Sequence, residues 1–487
     1  MAGNNPQVEH LLRRAGFGMS PDERTRLGNM SVPALIDYLV NFERQPDDVD
    51  GFIGDSAYVG VATRGGAFSP NTIIDDARQR WLFRMVHTRR PLQEKMALFW
   101  HNHFANAYTK IGGVVGNIQA TKMLAQKSGE LPGPQGQIEL FRQFALGSFR
   151  DLLLEVAKDP GMLVFLDGRL NVRARPQENF GREIMELFTF GVGNYTEQDV
   201  YAAARVFTGW NIALAGGGNN QDPNSYYQFV FNANQHELTA KTFTFPIYAN
   251  GGRTIPARAA ADGMQDGIDL INALARHPQT ARRLAGKLWN YFVSETDEPE
   301  EGFLQNVASV YAQNNTDMRA VVRYIFESPW FGEASRYNAR YSWPVEFVTR
   351  AIKETGWAGF SVDSARTPLT NMGQTLLEPP DVSGWNLGKT WFATGAMLSR
   401  MNFAATLASN QKFNLARDAA ASRSSADRVL AYFLGRFSPA PYDSQSSSEL
   451  LSYLRSGGTW TGSDAQLNAR APGLARLIVG SSEYQLV

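Results

Sequence analysis

The stretch ALFWHNHFANAY, residues 97–108, places His101 and His103 one residue apart beside Phe99, Trp100 and Phe104. Imidazole is the side chain best matched to metal ligation and to proton transfer near neutral pH. A second stretch, RPQENFGREIMELFTFGVG (175–193), carries Glu183 and Glu186 on one helical ridge with Asn179, and Arg182 beside them. A third, HELTAK (236–241), supplies His236 and Lys241. His101, His103, His236, Glu183 and Glu186 together would form a mixed imidazole and carboxylate ligand set suited to Zn, Mn or Fe. A divalent ion held there would activate water for hydrolysis, with Glu183 and His103 as the catalytic candidates. Asn179, Arg182, Asp199 and Lys241 would form the polar network around that set.

Helical geometry constrains this reading. Leu92, Met96, Phe99, Trp100, His103 and Phe104 fall on one helical face, so His103 points into the core with the aromatics. His101 lies about 140° from Met96. A continuous helix cannot aim both rings at one ion; they converge only if the chain turns extended near residue 102. The plain alternative is a core histidine with hydrogen-bond partners. Glu183 sits about 60° from Phe180, at the edge of the apolar stripe of Phe180, Ile184, Leu187 and Phe188. A carboxylate there must be paired, hydrogen-bonded, metal-bound or protonated. A salt bridge to Arg182, Arg205 or Arg350 is the simplest answer.

The elements that must position these groups are mostly helices. Asn5-Pro6 reads as an N-cap with a first-turn proline, Ser20-Pro21-Asp22-Glu23 as a capping box, and Ser31 as another cap. Further helices are expected around 72–87, 91–104, 138–157, 177–190, 197–208, 262–276, 278–293, 303–312, 317–327 and 343–355. Thr196 with Asp199 starts the one at 197–208. Residues 224–255, rich in Tyr, Phe, Thr and Asn, read as two or three strands, and the Gly-rich ALAGGGNNQDPN (213–224) before them as a loop. The fold expected is mainly α: one large multi-helix domain over 1–487, a β-rich insertion at 211–260, and a C-terminal helical portion at 395–487 that could stand as a subdomain.

Composition narrows the function. Lys plus Arg and Asp plus Glu are both 47, so the formal net charge is zero, which speaks against a nucleic-acid binder. The absence of cysteine removes disulfides, thiolate metal sites and cysteine nucleophiles. No apolar run approaches the roughly 18 residues of a membrane span, and MAGNNPQVEH shows no signal-peptide pattern. HELTA (236–240) has Ala240 where the zinc-protease motif needs its second histidine. GWNLGKT (384–390) is one residue short between its glycines for a phosphate-binding loop, and it reads better as a tight loop pinned to the core by Trp385 and Trp391.

Five blocks carry a resemblance: EHLLRRAGFG (9–18), LQEKMALFWHNHFA (92–105), ENFGREIMELFTFGVGNYTEQDVYAAARVFTGW (178–210), HPQTARRLAGKLWNYFV (277–293) and EPPDVSGWNLGKTW (378–391). In this order they resemble the bacterial family called domain of unknown function 1800. The resemblance implies a largely helical fold and no stated activity. Its members are often exported, which implies a periplasmic or extracellular location, and are encoded beside proteins similar to the alkaline-phosphatase and sulfatase superfamily, which implies an exported partner of that kind. The family's W-H-x-H-F block falls on Trp100, His101, His103 and Phe104, and its R-E-x-x-E-L block on Arg182, Glu183, Glu186 and Leu187. T-E-x-D-V falls on Thr196, Glu197, Asp199 and Val200, and T-G-W on Thr208, Gly209 and Trp210. The chain departs from the pattern at Phe188, where the family usually has histidine, and in HELTAK, where Glu237 and Thr239 replace Asp and Gly. A site relying on the missing histidine would be altered here. Two functions are thus expected to compete: a scaffold or binding protein working with an exported partner, and a metal-dependent, hydrolase-like enzyme.

Overall fold

Serine, asparagine and aspartate at helix starts, often with a proline at the next position, do much to punctuate this chain. The computed structural model describes residues 5–63 and 66–487; residues 1–4 of the N-terminal stretch considered above lie outside them. The Asn5 side chain accepts from Gln7 N, Ser20 and Glu23 close a full capping box, and Ser31 accepts from Ala34 N. Each bond satisfies a backbone donor that the first helical turn would otherwise leave unpaired. The described residues form 24 α-helices and two small two-stranded antiparallel sheets. The fold is mainly α, as the periodicity implies.

The helix Pro91–His103 is the central one for function. Every residue in it except Asn102 is buried, and helices Val32–Val40, Ile74–His87 and Gln137–Gln143 pack on it. A helix covered on all sides must neutralise whatever charge it carries. Glu94 therefore receives Arg84 and Arg142 at 2.8 and 2.9 Å and the Trp81 indole N–H at 2.9 Å. Lys95 pairs with Glu346, which also takes Arg340 at 2.8 Å. Beside this core, helix Glu178–Glu186 crosses Glu197–Val206 closely enough that a Cβ on Gly181 would sit 3.0 Å from Ala204 N.

Four elements differ from expectation, the first being the helix expected at 177–190, which closes at Glu186. The helix expected at 138–157 is two, Gln137–Gln143 and Phe149–Lys158. Ser148 caps the second, and the break lets Gly147 O and Phe149 N bond the chain at Met318 and Thr316. The helix expected at 278–293 changes to a π-turn over Trp289–Val293. The run 213–224 is not all loop: Trp210–Ala215 is a strand paired with Tyr226–Phe231, from Trp210 opposite Phe231 to Ala215 opposite Tyr226. A second short ladder joins Lys241–Thr242 to Thr254–Ile255.

One contiguous apolar cluster runs from Val8 to Tyr484 and includes Phe403, Leu407, Leu474 and Ile478 of the C-terminal helices. Among the described residues, no helix is long and apolar enough to cross a membrane.

Candidate functional site

The last turn of helix Pro91–His103 is where the distant sequence blocks meet. His101 is fully buried, its ring edge-on to Trp81 at 5.4 Å and to Trp385 at 5.3 Å. Neither ring nitrogen has a hydrogen-bond partner, and burial alone pushes its pKa down to about 3. Asn102, one residue on, accepts the Trp385 backbone N–H at 2.7 Å. Gly384 adopts φ +88 there, with its would-be Cβ only 2.3 Å from Asn102 Oδ1, so glycine alone fits. GWNLGKT is thus a loop pinned to the core, with Trp385 and Trp391 both buried.

His103 points elsewhere. Its Nε2 lies 3.1 Å from the Phe188 carbonyl and its Nδ1 2.9 Å from Lys287 Nζ. A carbonyl can only accept, so Nε2 carries the proton. Nδ1 then offers its lone pair to the Lys287 ammonium. Burial, then Lys287 and Arg283, hold the ring well below its ordinary pKa, which keeps it neutral. Lys287 is itself lowered to about 7, by burial first and then by Arg283. The helix stays regular through His103, so the extended turn that would have aligned His101 with His103 does not occur.

The carboxylate ridge lies beyond Phe188. Glu183 is half-buried and makes no ion pair among the described residues. Burial and then Glu186 raise its pKa, while Arg182 opposes them. The three bridges expected for it go to other partners. Arg182 pairs with Glu197 at 2.7 Å, Arg205 with Glu237 at 2.8 Å, and Arg350 with Glu354 at 3.1 Å. Glu186 instead accepts from the Tyr195 hydroxyl, and Asn179 donates to Leu166 O at 3.3 Å. Arg283 donates to Leu187 O at 3.3 Å. Arg283 and His103 together therefore satisfy the carbonyls at the C-terminal end of helix Glu178–Glu186, where donors and positive charge are favourable. Phe188, standing where the family usually has histidine, packs edge-on against Phe104 at 5.1 Å.

His236 belongs to a separate cluster. Its Nδ1 lies 2.8 Å from Thr208 O and its Nε2 3.2 Å from Asp266 Oδ2. Asp266 also receives Lys241 and Arg258, each at 2.5 Å. These bonds hold Asp266 below the usual carboxylate range against the opposing effect of burial, the largest single influence on it. Asp199 caps its helix through Thr196 and accepts from Thr244 N at 2.7 Å and Thr244 Oγ1 at 2.6 Å, latching the insertion to the helices.

Sequence reasoning missed Lys287, Arg283, Asp266 and Arg258. Arg283 and Lys287 are like charges four apart on one helix, an arrangement that disfavours itself and so signals an outside partner. A buried ammonium at Lys241 demands an anion, and Asp266 is that anion.

The chosen candidates are thus divided among four places: His101 in an aromatic box, His103 with Lys287, Glu183 and Glu186 on the ridge, and His236 with Lys241 on Asp266. Among the described residues, no group of three or more His, Cys, Asp or Glu is placed to hold a metal ion. A family model described as a protein of unknown function, DUF1800, matches residues 10–486. The chain belongs to the DUF1800 family. No curated protein and no solved structure matches it. The DUF1800 description assigns no activity, so the chemistry of the site rests on its geometry.

Proposed function

We propose that this DUF1800 protein is a scaffold or binding protein that works with an exported partner, and that it is not a metal-dependent hydrolase. The observation that carries this reading is the use made of two of the three candidate histidines. Both ring nitrogens of His103 are engaged, by Phe188 O and Lys287 Nζ, and both of His236, by Thr208 O and Asp266. Every nitrogen of these two rings is already committed to a protein partner, which leaves none free for a metal, and those partners fix helix packing instead. His101 is enclosed by aromatic rings with no carboxylate beside it in its hydrogen bonds or pairs. The exported partner follows from the family resemblance, which points to a protein similar to the alkaline-phosphatase and sulfatase superfamily.

The test uses protein purified without chelators. Elemental analysis for Zn, Mn and Fe should give well under one ion per chain, and none of the three should raise the melting temperature. The protein should also form a stable complex with the purified product of a neighbouring gene of that superfamily. Stoichiometric metal would overturn the proposal, and so would failure to bind that partner.

A further inference from the structure

The pairing of His103 with Lys287 is unusual among the ionic contacts of this protein. Three other buried lysines meet acids, Lys95 with Glu346, Lys241 with Asp266 and Lys353 with Glu23, and a fourth, Lys122, donates to the carbonyls of Pro132, Pro223 and Ser225. Lys287 has no carboxylate partner among the described residues. Its Nζ lies 2.9 Å from a neutral imidazole nitrogen whose lone pair is aimed at it, because the opposite nitrogen is committed to Phe188 O. Arg283, one helical turn earlier, sets a second cation beside it, and the Arg283 Nε proton has no acceptor. An amine with a base in contact and a cation alongside is the arrangement that makes lysine nucleophilic. Lys287 keeps part of its surface in solvent.

We infer that Lys287 is a covalent capture site for small carbonyl compounds carrying a carboxylate, of the 2-oxo acid class, with His103 as its proton acceptor. Lys287 Nζ attacks the keto carbon, forming the C–N bond as the C=O π bond breaks. The amine proton passes through His103 Nδ1 to the carbonyl oxygen, giving a carbinolamine. Loss of that hydroxyl with a proton, as water, leaves an imine, so one amine and one ketone yield one imine and one water. Arg283 takes the carboxylate. The lowering of Lys287 to about 7 agrees with an amine that is substantially unprotonated at neutral pH. This site does not depend on the binding-protein reading, and either can fail without the other.

The full-length protein is incubated with pyruvate and cyanoborohydride at pH 7.5, and adducts are mapped by peptide mass spectrometry. Lys287 should gain the reduced adduct at least tenfold faster than exposed Lys110 and Lys412. Propionaldehyde, lacking the carboxylate, should show less preference for Lys287. His103→Gln should cut the Lys287 rate severalfold, and Lys287→Arg should abolish the adduct there. Labelling of Lys287 no faster than Lys110 and Lys412 in the unsubstituted protein overturns the inference by itself, whatever the variants do.

Discussion

The His236 ring faces the Asp266 carboxylate at 3.2 Å, with neither residue more than 1% exposed. Asp266 lies in the first turn of helix Met264–Arg276, while His236 comes from the segment leading into the ladder strand Lys241–Thr242, so this contact fastens the insertion to the helical body. Lys241 and Arg258 converge on the same carboxylate. Removing one partner of a buried ionic cluster leaves the others uncompensated. Asp266→Ala should therefore destabilise the protein by about 3–5 kcal/mol, read as a shift in the urea midpoint. Lys241→Met leaves His236 and Arg258 on Asp266 and should cost less. Equal, small losses for both variants would show that Asp266 is not the centre of the cluster.

His103 satisfies Phe188 O and supplies the acceptor for Lys287. His103→Phe keeps a ring of similar shape among Phe99, Trp100 and Phe149 and deletes both bonds. The expected loss is about 1–3 kcal/mol, the penalty of buried polar groups left without partners. Amide exchange at the end of helix Glu178–Glu186 should quicken in the same variant. An unchanged denaturation midpoint would mean that neither bond contributes.

Asp159 caps helix Pro160–Phe165, its Oδ1 accepting Met162 N at 2.8 Å, yet burial pushes its pKa up to about 7. The sign follows from which state binds the proton more tightly. The folded pKa lies above the unfolded one, so the folded state holds the extra proton between about pH 4 and 7. The stability contributed by this group is complete below the unfolded value and is lost as pH rises through 7. Asp159→Asn keeps a good cap and cannot ionise. Relative to the unsubstituted protein it should gain stability at pH 8, by on the order of 2 kcal/mol, and show little difference at pH 4. Melting curves at both pH values check this, and a gain of equal size at each would remove the ionisation argument.

What could be read from residues alone followed the range of the interaction. Caps at Asn5, Ser20 and Ser31 involve neighbours two or three residues away, and they marked their helices correctly. The inward direction of His103 came from helical spacing. Its partner did not, because Lys287 lies 184 residues further along and nothing local links the two. Glu183 shows the same limit: several arginines were available to it, and the folded chain gives each of them a different acid. The strand Trp210–Ala215 was hidden because it is defined by pairing with Tyr226–Phe231 across a Gly-rich turn.

His101 gives the sharpest pH test. Both its nitrogens are buried without partners, and its pKa falls to about 3 from an ordinary 6.5. Here the folded value lies below the unfolded one, so the unfolded chain binds the proton first on acidification. The stability tied to a neutral His101 is complete above pH 6.5 and drains away as pH falls toward 3, at roughly 1.4 kcal/mol per pH unit. Other buried histidines add to the total slope, so the informative quantity is the difference between the protein and His101→Leu. Leucine fills the box formed with Trp81, Phe141 and Trp385 without a polar atom to leave unpaired. It should match or exceed the unsubstituted stability at pH 7. Its advantage should then widen as pH falls from 6.5 to 4.5, when unfolding is followed at each pH. Parallel pH profiles for the two proteins would mean that the His101 ring takes up its proton as readily in the fold as in the unfolded chain.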